Sequence, residues 1–394
     1  MTAVLGDRSL FPDLAPEAYL NHAAISPPSR AVVEAVTCTM GRAAELGVPA
    51  FMEAMEQRDA LRATIATMVG AANADDVAFV ANTTAGVTDV ALCFPWRRGD
   101  RVVLTEGEFP ANVTPWQRAA ALFELEVAWL PKPTARAIDG WLAALDDELG
   151  RGARLVAISA VQFQTGLRMP LARIGEACRE AGAQLFVDAI QACGVVPIDV
   201  VAEGVDYLAC GSHKWLMGPE GLAFLYVAPS RAAELVPRVA GWTSHREAFR
   251  FLFEGAGHLR YDRPFVENAR MVEGGMPNLI GAAGLKAAVD LIVGLGVDAV
   301  HAHVQGYLDA LEPELVARGF SSRRASEASL RSGMLCVDPP SGVDVVALFE
   351  AIDAAKVACA IPDGALRFAP HWPNPTNEIG GVLAAIDEAL AKAR

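Results

Sequence analysis

The chain has 394 residues, 53% of them hydrophobic, with 33 Lys and Arg against 47 Asp and Glu, giving a formal charge of -14 at pH 7 and a pI near 5.0. Such acidity, with no basic stripe interleaved with aromatics, excludes nucleic acid as an expected partner. The 7 cysteines (Cys38, Cys93, Cys178, Cys193, Cys210, Cys336 and Cys359) are odd in number and never spaced as C-x-x-C, which excludes a disulfide framework and a thiolate zinc site and points to a reducing cytoplasm.

Taken in chain order, residues 1–20 read as an N-terminal arm without a basic segment leading into an apolar core, and no run approaches the roughly 18 apolar residues of a membrane span. Short apolar, β-branched runs then alternate with helical patterns: DDVAFVA (75–81), DRVVLTE (100–106), ARLVAIS (153–159), AQLFVDA (183–189), VDYLACG (205–211) and LAFLYV (222–227). Continuous apolar strands separated by helices predict a doubly wound α/β core whose parallel sheet is covered on both faces. The helix in MPLARIGEACREAGA places Leu171, Ile174, Ala177 and Cys178 on one face, with Gly182 as its stop. The stretch from Arg238 to Gly275 is irregular and reads as loops or a lid. Beyond residue 290 the pattern becomes α+β, ending in a helix that Asn374 and Pro375 would start as N-cap and N1. The expected division is therefore an arm (1–20), a large domain (21–290) and a small C-terminal domain (291–394).

In an open parallel sheet, ligands bind outside the carboxyl ends of the strands. Reading those ends in order gives a consistent set of groups. NTTAG offers hydroxyls at a helix start, a natural phosphate seat. EFPAN offers the Phe109 ring, VQFQTG offers Gln162, and LFVD ends on Asp188, a carboxylate in a strand that should be fully buried. ACGSHKW offers Ser212, His213 and Lys214. A phosphate seat, an aromatic face, a strand-end Asp and a strand-end Lys match the needs of pyridoxal phosphate: an amine for a Schiff base, a carboxylate for the pyridine nitrogen, and donors for the phosphate.

This order of motifs, from YLNHAAISPPSR (19–30) to LRFAPHWPNPTNEI (366–379), resembles the class V aminotransferase family of type I pyridoxal-phosphate enzymes. That family includes cysteine desulfurases, kynureninases and isopenicillin N epimerase-like proteins. The resemblance implies the type I fold, with a large cofactor-binding domain, a smaller C-terminal domain and a homodimer that completes each site. It implies Lys214 as the Schiff-base residue, Asp188 at the pyridine nitrogen, Gln191 and Gln162 near the cofactor's phenolic oxygen, and Phe109 stacked on the ring. Thr83, Thr84 and His213 would hold the phosphate, with Ser212 replacing a hydroxyl lost at Gly211. Arg367 would grip the substrate carboxylate, with His22 and Asn112 beside the substrate. Met276 departs from the Thr that desulfurases place at a neighbouring phosphate.

Transamination or racemisation of an amino acid needs only Lys214. A desulfurase needs a mobile thiol, whereas Cys359 lies in the apolar run KVACAIPDG, eight residues before Arg367, and reads as structural. A kynureninase-like β-lyase stays open because of Phe109 and VQFQTG. A nicotinamide dehydrogenase lacks its G-x-G-x-x-G, and a P-loop enzyme lacks Gly-Lys-Ser/Thr. A non-catalytic binding protein would typically lose Lys214, Asp188 or Arg367. His301 and His303, two apart on a helix, face different directions and read as solvated positions rather than metal ligands.

Overall fold

In the computed structural model, which describes residues 2–393, each apolar run above is a strand. The strands are β1 (Ala18–Tyr19), β2 (Val77–Val80), β3 (Arg101–Thr105), β4 (Glu126–Leu130), β5 (Ala153–Ser159), β6 (Gln184–Asp188), β7 (Tyr207–Gly211), β8 (Ala223–Val227), β9 (Ser321–Ser322), β10 (Leu335–Asp338), β11 (Val357–Ala358) and β12 (Leu366–Phe368). Seven of them form the main sheet in the order β2-β8-β7-β6-β5-β3-β4.

The sheet is mainly rather than wholly parallel. From β7 across to β4 all neighbours run the same way, but β8 is antiparallel to both β7 and β2. The connection from β7 to β8 spans only residues 212–222, too few for the helical crossover that a parallel return requires. Strand β4 was not among the expected strands. Its sequence EVAWL alternates between exposed and buried residues, as befits a sheet edge, and so lacks a continuous apolar run.

Successive residues of the inner strands point to opposite faces, and each face has its own core. Val156, Ile158, Leu185 and Val187 pack with Leu145 and Ile174 on one side. Leu155, Ala157 and Phe186 pack with Val87, Val90 and Trp116 on the other, where the Trp116 and Phe186 rings meet edge to face at 5.1 Å. Full burial of each such large side chain is worth roughly 1.5–3 kcal/mol, which fixes strand register because a one-residue slip would exchange the two faces. The helix Leu171–Ala181 buries Leu171, Ile174 and Cys178 and ends at Gly182 with φ +71°, a left-handed stop that glycine adopts without a Cβ penalty.

Gly296 separates helices Leu279–Leu295 and Val297–Ala317, which meet at 78°. Beyond them β12, β10 and β9 form a small antiparallel sheet. The chain start joins this part, since β1 pairs in parallel with β11. No single helix among the described residues is long and apolar enough to cross a membrane.

Three expectations need correction. Asn374 does not cap the last helix: its Oδ1 accepts from His371 N and its Nδ2 donates to Tyr19 O and Glu378 Oε1, so it ties the two chain ends together. The helical path begins instead with a 3-10 turn at Thr376–Glu378 that leads into Ile379–Ala393. His301 and His303 are half-buried rather than solvated, and they bond different carbonyls, Val195 O and Asn374 O. Residues 238–275 hold short helical turns and line cavities with Arg58, but none of them lines the cavity that contains Lys214.

The irregular segment is anchored at Glu273. Its carboxylate accepts from Arg62 at 2.7 Å, Arg58 at 2.9 Å and Phe79 N at 2.7 Å, and both guanidinium carbons lie 4.9 Å from the Phe79 ring centroid. Glu273→Ala would strand two buried cations. We expect it to destabilise the protein by about 3–5 kcal/mol, read as a lowered urea midpoint, and a loss below about 1 kcal/mol would show the arginines to be solvated.

Candidate active site

The carboxyl ends of β2, β3, β5, β6 and β7 open onto one cavity of about 520 Å3, closed on the far side by Ala23, Ala24 and Ile25 after β1 and by Pro362 and Arg367 at β12. Lys214 and Asp188 both line it. Asp188 is the last residue of β6, and among the described residues its Oδ1 accepts only from Ile190 N, at 3.0 Å. Burial pushes its carboxyl up to about 7, helped by the nearby Glu108 charge and opposed by Lys214. Lys214 follows β7, and burial pulls its amine down to about 8, with Asp188 acting the other way. The two groups act on one another through space and share no hydrogen bond. Lys214 Nζ lies 5.5 Å from the Phe109 ring centroid.

Opposite them, the helix Thr83–Cys93 points its N-terminus at the cavity. Asn82 caps it, its Oδ1 accepting from Ala85 N at 2.9 Å. Thr83 and Thr84 stand in its first turn, and Thr83 Oγ1 is buried without a hydrogen-bond partner among the described residues. A Cβ at position 211 would come within 3.0 Å of that hydroxyl, so Gly211 keeps the space around it open. Arg367 on β12 donates to Phe163 O at 3.1 Å and leaves its buried Nε unpartnered. His213 borders the cavity half-buried, its imidazole held below the usual range by burial and by Lys214.

These groups fit pyridoxal phosphate. A helix N-terminus with an orphaned hydroxyl suits a dianionic phosphate. Asp188, buried without a cationic hydrogen-bond partner, suits a protonated ring nitrogen. The Phe109 side chain, 46% exposed although apolar, has a face free for a planar ring.

Other expected residues lie elsewhere. Gln162 is 3% exposed and donates to Glu108 Oε1 at 2.9 Å, and the residue its loop presents to the cavity is Phe163. Ser212 donates to Pro219 O and Leu222 O, so its hydroxyl is spent on the β7–β8 connection and not on a phosphate. His22 is 1% exposed, its Nδ1 2.7 Å from Ser26 Oγ, and it packs edge to face on His371 beneath the cavity. Asn112 is fully buried, with its Oδ1 accepting from Trp116 Nε1, and the cavity wall there is Ala111. Gln191 borders the cavity, but its amide bridges Trp215 Nε1 and Ala23 O. Met276 is 74% exposed and outside the cavity. The sequence reading missed Phe163, Ala23 to Ile25 and Pro362, although Phe163 is the immediate neighbour of Gln162.

A family model described as aminotransferase class-V matches residues 18–360. The chain is 28% identical over 391 residues to the uncharacterized aminotransferase YcbU of Bacillus subtilis (strain 168), covering 98% of this chain and 97% of that protein. It is 34% identical over 253 residues to a cysteine desulfurase of Dickeya dadantii (strain 3937), a match spanning 64% of this chain and 58% of that protein, under two thirds of its length. Among solved structures, the cysteine desulfurase CsdA from Escherichia coli superposes with a TM-score of 0.85 at 23% identity, covering 98% of each chain. The cystine C-S lyase C-DES in complex with its reaction product cysteine persulfide gives 0.84 at 24% identity, covering 95% of this chain and 98% of that one. At such identities the structural likeness is one of fold.

The environment of Lys214 makes a prediction for the protein freed of cofactor. Reaction of Lys214 with an amine-selective reagent should rise with pH about a midpoint near 8, because the free amine reacts and burial disfavours its charged form. Peptide mapping of the modified residue reads this directly, and a midpoint near the ordinary lysine value of about 10.4 would mean that the amine is solvated.

Proposed function

The chain belongs to the class-V aminotransferase family of pyridoxal-phosphate enzymes, and from that premise we propose that it acts at the α-carbon of an amino acid by transamination or racemisation, with Lys214 as the base. The observation that carries this reading is that Lys214 is the one amine on the cavity and no cysteine lines it among the described residues. Cys359 is 4% exposed, and burial pushes its thiol up to about 12. The next residue, Ala360, bonds Arg367 in both directions, with Arg367 N to Ala360 O at 2.7 Å, which ties the Cys359 segment to β12. A thiol so placed is a poor nucleophile, which argues against the desulfurase alternative.

When bound, pyridoxal phosphate supplies the electron sink that lets a bond at the substrate α-carbon break. The chain supplies position and proton transfer. In this reading Thr83, Thr84 and the amide groups of their helix hold the phosphate, and Asp188 keeps the proton on the ring nitrogen. Phe109 covers one ring face. Arg367 receives the substrate carboxylate, a task suited to its planar fork. Lys214 Nζ takes the α-proton as a free amine, which its burial makes available near neutral pH. A proton delivered to the other face of the α-carbon by a second donor such as water would give racemisation, and carriage of the α-proton by Lys214 to the carbon that receives the amino group would give transamination.

A β-lyase is the second reading, favoured by one observation: Phe109 and Phe163 meet edge to face at 5.4 Å on the cavity wall, a surface suited to an aromatic β-substituent. The reading also includes a homodimer, supported by the exposed apolar side chains of Met40, Met52, Leu252, Phe253 and Met276. Light scattering should give twice the 41.6 kDa chain mass, and a monomer at micromolar concentration would overturn that part.

The deciding experiment is incubation of the holoenzyme with L-alanine, L-cysteine and L-kynurenine, followed by product analysis. A keto acid with the amino form of the cofactor indicates transamination, and the D-amino acid indicates racemisation. Sulfide from L-cysteine that is lost in Cys359→Ser would replace this reading with desulfuration, whereas anthranilate from L-kynurenine would favour the β-lyase. Lys214→Ala should abolish turnover without unfolding the chain. Arg367→Ala should weaken substrate binding by about 2–5 kcal/mol, read mainly in KM, if its charge pairs with the carboxylate.

A further inference from the structure

Glu108 stands outside the cavity and yet gathers the parts that shape it. The residue is 9% exposed. Its Oε1 accepts from Ser159 N at 2.8 Å and from Gln162 Nε2 at 2.9 Å, and its Oε2 accepts from Ser159 Oγ. Asn112, whose Nδ2 makes no bond of full geometry, adds a weaker donor. Ser159 N and Gln162 Nε2 can only donate, which favours the carboxylate anion, while burial pushes the same carboxyl up against these hydrogen bonds.

The placement explains what the anion holds. Glu108 precedes Phe109, and Gln162 precedes Phe163. The Glu108–Gln162 hydrogen bond therefore lies directly behind the Phe109–Phe163 ring contact of 5.4 Å on the cavity wall. Ser159, which gives Glu108 two hydrogen bonds, is paired in register with Asp188, and Ala160 N donates to Asp188 O at 2.8 Å. One buried carboxylate thus fastens the β3 loop to the end of β5, and through β5 to the strand end that carries Asp188.

We propose that Glu108 is a positioning residue for the cofactor: it clamps the aromatic wall formed by Phe109 and Phe163, and it places a second fixed negative charge behind Asp188. The charged groups facing that charge are Asp188 and, beyond Asp188, Lys214 and Arg367. A second anion favours protons on all groups around it, so it supports a protonated ring nitrogen at Asp188. This inference rests on the bound cofactor and not on which reaction follows, so it survives if the product analysis above finds a lyase.

Glu108→Gln tests it, because the amide keeps the shape and can still hydrogen-bond Ser159, whose hydroxyl turns to accept, while the charge is lost. We expect the variant to keep the wild-type circular dichroism. Two readouts should change: the Kd of the cofactor-free protein for pyridoxal phosphate rises about tenfold, and the midpoint at which the bound cofactor's visible band titrates falls by about half a pH unit or more. Wild-type affinity, or weaker binding with an unmoved midpoint, overturns the proposal. If Glu108→Gln fails to fold, Ser159→Ala removes a donor and leaves the charge. It should weaken pyridoxal phosphate binding a few-fold, and unchanged affinity there overturns the clamp.

Discussion

The site depends on desolvation of two opposite charges that share a cavity floor without touching. Asp188 is buried and Lys214 half-buried, and each is pushed toward its neutral form, the amine to about 8 and the carboxyl to about 7. Had they closed a hydrogen-bonded ion pair, each would have stabilised the other's charge, and both would have been unavailable. The through-space arrangement keeps the amine basic yet partly free near neutral pH, and it leaves the carboxylate a place for a cationic partner.

The sign of the linkage follows. Asp188, whose pKa is raised on folding, adds stability at low pH that is lost as pH rises toward about 7, and Lys214, whose pKa is lowered, adds stability at high pH that is lost as pH falls toward about 8. Around neutrality the empty site is therefore held against both groups at once by the surrounding core. A ligand that brings a ring proton to Asp188 and bonds the lysine relieves both costs, which couples cofactor retention to folding. The packing of β5, β6 and β7, with Val187, Leu208 and Ile158 fully buried, is what makes such a destabilised floor tolerable.

Much of this was legible in the sequence because a parallel sheet places its strand ends at one edge. Asp188, Lys214, Thr83 and Phe109 follow apolar runs directly, and all four line the cavity. The strands of the main sheet also announced themselves, except β4, whose alternating EVAWL is an edge pattern, while the two-residue strands β1 and β9 are too short to leave a pattern and the reversal of β8 followed from a connection length that was visible but not used. The failures have a common cause. Gln162, Ser212, His22 and Asn112 carry polar groups that could serve a ligand or the protein, and their partners are set by tertiary contacts: Glu108, the Pro219 and Leu222 carbonyls, Ser26 and Trp116. Local sequence holds no record of that choice, and in each case the protein's own unsatisfied groups won.

The pairing of β1 with β11 has a consequence for when the site exists. The wall formed by Ala23, Ala24 and Ile25 follows a strand that pairs with Val357–Ala358 and continues into a bridge from Asn21 to Ala369, and Asn374 fastens Tyr19 to the turn that leads into the last helix. During synthesis, Lys214 and Asp188 leave the ribosome long before the residues that close the cavity over them. The nascent chain thus presents an open cleft until Val357–Ala358 and Ala369 have emerged to pair with the segment from Ala18 to His22.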